Sequence, residues 1–331
     1  MSSHNIAMAT SKIALITTGG TISTIDAGRG AVPKAGPVDL IRMLGDSARG
    51  IEVETVEFAR IPGCEMTPET MLALADAIER ELKRDDVAGA VVTHGTDTIE
   101  ESAFVSHLTV TSTKPVVFTG SMRTGSELSF DGPRNLLDSL KVAGWPRAAG
   151  LGTILVMNEE IHSARFVTKG NGLLLGAFHS PASGPLGRIY NGAPMLFTVP
   201  AASRRTLAPR IDTRVATVRA LSGETQSLAE ALARPELRGM VIEGFGSGRV
   251  PPSWCEPLES AVKRGLPVVL ASRTGAGAVG DSYGYAGANH LLRAGLIAAH
   301  EMPGHKARLK LMLAIGNELP IAAIKDLFEN E

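Results

Sequence analysis

The sequence predicts an α/β protein of two domains, a larger N-terminal parallel-sheet domain and a smaller C-terminal flavodoxin-like α/β domain, on three observations. Short β-branched runs alternate with helix-period stretches, the pattern of parallel strands covered by helices. At 331 residues the chain exceeds the length, about 250–300 residues, beyond which one core tends to divide. The alternation also breaks at TVPAASRRTLAPRID (198–212), where prolines and a basic cluster read as an exposed linker. These place the N-terminal domain at 12–205, the linker at 206–212 and the C-terminal domain at 213–331.

In chain order, residues 1–11 are polar and patternless, a loose tail. KIALIT (12–17) and IEVETVEF (51–58) read as strands. TPETMLALADAIERELKRD (67–85) predicts a helix: Thr67 caps it, Pro68 opens it, Glu69 sits in its first turn, and Met71, Leu74, Ile78 and Leu82 recur at three-to-four spacing. GAVVTH (89–94), PVVFTG (115–120) and TILVMN (153–158) are further strands, with a helix DGPRNLLDSLKVA at 131–143. Beyond the linker come strands RVATVRAL (214–221), GMVIEGFG (239–246) and PVVLAS (267–272), a helix PSWCEPLESAVKRG (252–265), and a terminal helix pair over 305–329.

Composition excludes several functions. Lys and Arg number 33 against 34 Asp and Glu, a net charge of −1, so neither a nucleic-acid-binding face nor a polybasic membrane anchor is expected. Cys64 and Cys255 lie far apart without CxxC spacing and read as free thiols. The start MSSHNIAMATSK lacks a basic segment followed by an apolar one, and no run approaches the ~18 apolar residues of a membrane span. A cytoplasmic location is expected.

In an open parallel sheet, ligands bind beyond the carboxyl ends of the strands. Two strand ends carry Gly-Thr units, GGT (19–21) in ITTGGTIST (16–24) and GTD (95–97) in VVTHGTDTIEES (91–102), and a third strand end falls at GSMR (120–123). Gly19 and Gly20 permit close approach to the main chain beside the Thr21 hydroxyl. A hydroxyl needs a base or a charged relay to become a nucleophile; Asp97 adjoins the Thr96 hydroxyl, and Lys169 follows another strand end in VMNEEIHSARFVTKGN (156–171). Two plainer readings stand beside these. Asp97 with Glu100 matches a D-x-x-E capping box, and a lone lysine such as Lys169 is usually a solvated surface residue.

ITTGGTIS, VVTHGTDTIEESAF, PVVFTGSMR, DGPRNL and VMNEEIHSARFVTK, in that order, resemble the bacterial-type L-asparaginase/glutaminase family, and a weaker similarity continues through EGFGSG, ASRTGAG and HKARLKLMLA to about residue 316. The resemblance implies an amidohydrolase that releases ammonia from the side-chain amide of L-asparagine, with L-glutamine left open because one methylene is worth only about 1–3 kcal/mol in a pocket. It implies Thr21 as the nucleophile of an acyl-enzyme, and Thr96, Lys169 and Asp97 as a second group that relays protons or positions water. Asp97 would also bind the substrate α-ammonium, and backbone at Gly20 and Gly95 would face the substrate. No metal or cofactor is implied. A homo-oligomer, dimer or tetramer, with sites between subunits is.

Four positions depart from the family pattern. The tyrosine expected just after TGGT is missing from ISTIDAGRGAVPKA (22–35), where Gly30 falls near its place; Tyr283 or Tyr285 in GDSYGYAG would substitute. Gly63 and Cys64 stand where a Ser-Gln pair binds the substrate's α-carboxylate and amine, and Ser247 stands where an Asn is common. Ser121 in GSMR is a further candidate for substrate contact.

Other readings compete. TGAGAVG (274–280) contains G-x-G-x-x-G after a strand, but no helix is expected behind it. GDSYG (280–284) matches G-x-S-x-G and would make Ser282 a serine-hydrolase nucleophile, though strand and helix do not flank it as an elbow requires. HEMPGH (300–305) lacks zinc spacing. A non-catalytic asparagine- or aspartate-binding paralogue is the remaining alternative, motivated by the missing tyrosine and by Gly63-Cys64.

Overall fold

The structure, a computed structural model, describes residues 11–26, 31–33, 35–200, 206–224, 226–280 and 283–330. Two compact units divide the chain, residues 1–202 and 203–331.

The first unit is built on strands β1 (Lys12–Gly19), β2 (Thr24–Asp26), β3 (Ala31–Pro33), β4 (Val53–Ile61), β5 (Val87–Thr93), β6 (Val116–Thr119), β7 (Thr153–Met157), β8 (Glu160–Ser163), β9 (Thr168–Lys169), β10 (Phe178–His179), β11 (Gly187–Tyr190) and β12 (Ala193–Leu196). Its helices are α1 (Pro37–Leu44), α2 (Pro68–Leu82), α3 (Ile99–Thr109) and α4 (Gly132–Ala143). Eight strands form one sheet in the order β12-β11-β8-β7-β6-β5-β1-β4. The five from β7 to β4 are parallel, as predicted, whereas β8, β11 and β12 add antiparallel. The sheet is therefore mixed, because β7 turns back directly into β8 instead of crossing over through a helix.

Side chains alternate across this sheet with period two. Ala14 and Ile16 of β1, and Ala90 and Val92 of β5, join the core with Leu74 and Ile78 of α2 and Ile99 and Ala103 of α3. Ile13, Leu15 and Val91 join the opposite core with Leu40 of α1 and Leu136 and Leu140 of α4. Helix α2 starts as the sequence predicts, the Thr70 N–H donating to the Thr67 hydroxyl. The connection from β1 leads to β4 on one side, while β5 leads to β6 on the other. The strand order thus reverses between β1 and β5, the place where α/β sheets open a crevice.

The second unit has strands β13 (Val215–Arg219), β14 (Gly239–Gly244), β15 (Val268–Ser272) and β16 (Ile297–Ala298), all parallel and in sequential order. Helices α5 (Ser227–Leu232), α6 (Cys255–Lys263), α7 (Ala288–Arg293), α8 (Gly304–Gly316) and α9 (Ile321–Glu329) complete it. Asn317, at the end of α8, donates to the Ala208 and Arg210 carbonyls, which lays part of the 206–212 segment along this unit. Among the described residues no helix is long and apolar enough to cross a membrane.

Candidate active site

Strands β1 and β5 run in register up to Thr17 beside Thr93, and their chain ends meet just beyond. Gly20, at φ +76°, lies so close to Gly95 that a Cβ on it would sit 2.4 Å from the Gly95 N and Cα. On its other side Gly95 abuts Gly63, where an added Cβ would be 2.6 Å from the Gly63 N. Three strand-end segments are thereby stacked backbone on backbone, which only glycine allows. The glycine pair after β1 accordingly serves chain-to-chain contact: Gly19 faces Ile61 in the same way, and the Gly20 N–H donates to the Ile61 carbonyl at 3.2 Å.

The threonines around this pair have distinct tasks. The Thr18 hydroxyl donates to the Thr93 carbonyl at 3.0 Å, clamping β1 to β5. The Thr24 hydroxyl and the Ser23 N–H both donate to the Gly20 carbonyl, at 2.8 and 3.1 Å, closing a single 3₁₀ turn over residues 21–23. Thr21 is the first residue of that turn and is half-buried.

Beyond β5 the chain passes through Thr96 and Asp97 into α3. Lys169 Nζ, from β9, donates to the Thr96 hydroxyl oxygen and to Asp97 Oδ1, each at 2.9 Å. Thr96 is buried; the Lys169 side chain is 15% exposed and that of Asp97 64%, so the lysine is not a solvated surface residue and its carboxylate partner borders solvent. The capping-box reading of Asp97 and Glu100 does not hold. Thr98, not Asp97, is the N-cap of α3, and its side chain makes no cap bond; instead its hydroxyl donates to the Gly63 carbonyl at 2.7 Å. Glu100 is buried and its Oε1 accepts the Lys169 N–H at 3.0 Å.

Sequence reasoning missed the groups that hold these loops in place. His94 is fully buried, and burial lowers its pKa to about 4, so it is neutral near pH 7. Its Nδ1 lies 2.8 Å from the Gly95 carbonyl, which can only accept, so Nδ1 carries the proton and Nε2 accepts from the Ser102 hydroxyl at 2.8 Å. Asn135 of α4 donates to the Gly120 carbonyl and to Asp131 Oδ2, both at 3.0 Å, and accepts the Asn158 N–H at 2.9 Å, tying together the ends of β6 and β7. The Asp131 carboxylate accepts the N–H groups of Met122 and Arg123. Both residues lie in the block DGPRNL (131–136), whose sequence marks the segment but not which contacts its side chains make.

The remaining predicted residues fall in different surroundings. Ser121 is buried, with its hydroxyl donating to the Arg123 carbonyl at 2.7 Å. Cys64 is an exposed free thiol beside Gly63, and Cys255 a buried one. Ser247, Tyr283 and Tyr285 belong to the second unit. The Ser247 carbonyl accepts the Gly280 N–H at 3.0 Å. Tyr283 has the Arg249 guanidinium 4.4 Å over its ring, and the Tyr285 hydroxyl is 3.5 Å from the Pro252 carbonyl. Ser282 and Gly30 lie outside the described residues. After TGAGAVG no helix begins among the described residues until Ala288, so the strand–loop–helix context of a dinucleotide fingerprint is not met there. Among the described residues no group of three or more His, Cys, Asp or Glu could hold a metal ion.

Against known proteins, residues 12–201 match the family model described as "Asparaginase, N-terminal" and residues 214–328 match "Glutaminase/Asparaginase C-terminal domain". The chain is 39% identical to a "Probable L-asparaginase" of Deinococcus radiodurans over 92% of each chain. It is 35% identical to "L-asparaginase 2" of Bacillus subtilis, over 92% of this chain and 82% of that one. The solved structure of a probable cytoplasmic L-asparaginase from Campylobacter jejuni superposes with a TM-score of 0.85 at 30% identity, covering 97% of this chain and all of the other.

Proposed function

Since the chain belongs to the bacterial-type asparaginase family, we propose that it hydrolyses the side-chain amide of L-asparagine to L-aspartate and ammonia, with Thr21 as nucleophile. The observation that carries this reading is the Thr96–Lys169–Asp97 cluster, with Lys169 Nζ 2.9 Å from both partners, one residue beyond the glycine contact that brings the 20–21 and 95–96 segments together. The Thr21 hydroxyl attacks the carboxamide carbon and the C–N bond breaks after proton delivery to the departing ammonia; water then attacks the ester carbonyl and releases Thr21. Thr96 and Lys169 form the path by which protons move, and Asp97, half open to solvent, meets the substrate's α-ammonium. Gly63 and Cys64 border the same segment and would present one thiol and a backbone to the substrate.

Tyr283 or Tyr285 of GDSYGYAG is proposed to stand in for the missing tyrosine. The enzyme is proposed to act in the cytoplasm as a homo-oligomer, dimer or tetramer, on a small-molecule substrate without metal or cofactor; the likeness to the Campylobacter jejuni protein, itself named as a probable cytoplasmic enzyme, supports the location.

The test is ammonia release from L-asparagine and L-glutamine by the wild type, Thr21→Ala and Lys169→Met, with mass-spectrometric trapping of the acyl-enzyme by hydroxylamine. Removing a nucleophile is expected to cost on the order of 10³-fold or more in kcat. Undiminished turnover by Thr21→Ala would overturn the assignment, and Tyr283→Phe at full turnover would remove that tyrosine from it.

A further inference from the structure

Two carboxylates of one short segment reach Lys169 from opposite ends. Asp97 meets its Nζ at 2.9 Å. Glu100, one helical turn further on, meets its backbone: Oε1 accepts the Lys169 N–H at 3.0 Å and faces the Thr168 hydroxyl at 3.4 Å. Resting on the reading that Lys169 takes part in turnover, we propose that Glu100 is a positioning residue, which fixes the main chain of Lys169 so that its ammonium group lands on Thr96.

A lysine side chain has four rotatable bonds, so holding Nζ on two acceptors at once needs a fixed Cα. Its own strand is short. β9 is two residues long and, among the described residues, pairs with β10 alone, also two residues, through Lys169 opposite Phe178 and Thr168 opposite His179. Val167, Ala177 and Phe178 anchor this ladder in the core, but pairing of that length leaves the lysine's main chain to be fixed from elsewhere, and the chain beyond it runs out to Leu173 and Leu174, both exposed. Helix α3 is the opposite case, with Ile99, Ser102, Ala103 and Phe104 all buried beside Glu100. A carboxylate in the first turn of a helix is favoured by the aligned peptide dipoles, and a charged acceptor makes the stronger bond to an N–H. The same stretch, 96 to 100, therefore supplies both acceptors of the ammonium group and the anchor of the backbone that carries it. A shift of the helix start moves all three together and preserves their spacing.

The experiment compares ammonia release by Glu100→Ala, Glu100→Gln, Glu100→Asp and Lys169→Met, and by the Glu100→Ala/Lys169→Met double variant. Displacing a reacting group by about 1 Å can cost on the order of 10²-fold, so Glu100→Ala is expected to lower kcat about 20-fold or more while KM moves less than about threefold. Glu100→Gln, whose amide oxygen can accept the same N–H, is expected to recover to within about fivefold of wild type. Glu100→Asp keeps the buried charge but falls one methylene short, and is expected to lose activity as the alanine variant does. In the Lys169→Met background the Glu100→Ala loss should vanish, a result that general damage to the fold would not give. Two results overturn the proposal: a Glu100→Ala and Glu100→Asp pair with kcat within about twofold of wild type, or a Glu100→Ala loss of equal size with and without Lys169. Full turnover by Lys169→Met would sink the catalytic reading of the lysine itself, whatever the Glu100 variants do.

Discussion

Acidification should destabilise the first unit well before its carboxylates titrate. His94 and His162 are both buried, and burial lowers each from the ordinary 6.5 to about 4, in His162 against the opposing pull of Glu160. His162 lies with Nδ1 3.0 Å from the Ser180 hydroxyl and Nε2 3.3 Å from Glu160 Oε2, and His179 and Arg188 also act on it. The folded state thus holds both rings neutral, while the unfolded chain protonates them below 6.5. The sign follows: stability is complete above pH 6.5, falls as pH drops toward 4, and levels off beneath. At pH 5 an unfolded imidazole gains about 30-fold in its proton-binding partition over the folded one, so each ring withdraws about 2 kcal/mol and the pair about 4. That is a large part of the 5–15 kcal/mol typical of a domain. Four carboxylates of this unit whose pKa values are lowered, Glu54, Glu79, Asp86 and Glu127, start from 3.8 or 4.5 and lose their contribution at lower pH still. Asp138, raised by burial, acts in the opposite direction. From pH 7 to 5 the two histidines therefore supply the loss of stability, with protonation of Asp138 working against them. Urea unfolding of the full chain at pH 7, 6 and 5 measures the slope, and His162→Gln should remove about half of it. A free energy at pH 5 within about 1 kcal/mol of that at pH 7 would refute the reasoning.

Three substitutions probe the loops around the site. Gly95→Ala puts a Cβ 2.6 Å from the Gly63 N and 2.7 Å from its Cα; overpacking against backbone is expected to cost about 1–3 kcal/mol and to lower kcat, and a variant with the wild-type melting temperature and turnover would contradict the contact. Asn135→Ala strips partners from the Gly120 carbonyl and the Asn158 N–H; a loss of about 2–4 kcal/mol, or a drop in melting temperature of roughly 5–10 °C by calorimetry, is expected. Thr67→Ala removes the cap that accepts the Thr70 N–H, for about 1 kcal/mol with no change in kcat.

What the sequence makes legible is the frame. The apolar runs read as strands β1, β5, β6 and β7 are apolar on both faces, because each face packs into its own core, and the cap and spacing of α2 mark its start at Pro68. The short strands β8 to β12 escape a sequence reading because, at two to four residues, they are shorter than any period can register, and their pairing is set by neighbours distant in the chain. The same limit hides the antiparallel extension of the sheet. Motifs point to Thr96, Asp97 and Lys169, whose contacts span more than 70 positions, but motifs say nothing of direction. Asp97 and Glu100 fit a cap perfectly well until the position of β9 is known, at which point both are seen to face the lysine.

Direction also decides what the glycines and threonines of ITTGGTIST do. Read as a string, the glycine pair invites a ligand and each threonine offers a hydroxyl. In the folded chain Gly20 is pressed against Gly95, a contact that leaves no room for a ligand between them, and the Thr18 and Thr24 hydroxyls are engaged by the Thr93 and Gly20 carbonyls. Those engagements build a turn whose first residue is Thr21, half-buried at the point where the strand order reverses. The nucleophile proposed at Thr21 needs the backbone beneath it fixed and its own oxygen uncommitted to that fixing. Division of labour among neighbouring threonines would meet both needs, since the Thr18 hydroxyl clamps the strand before the turn and the Thr24 hydroxyl closes the turn itself.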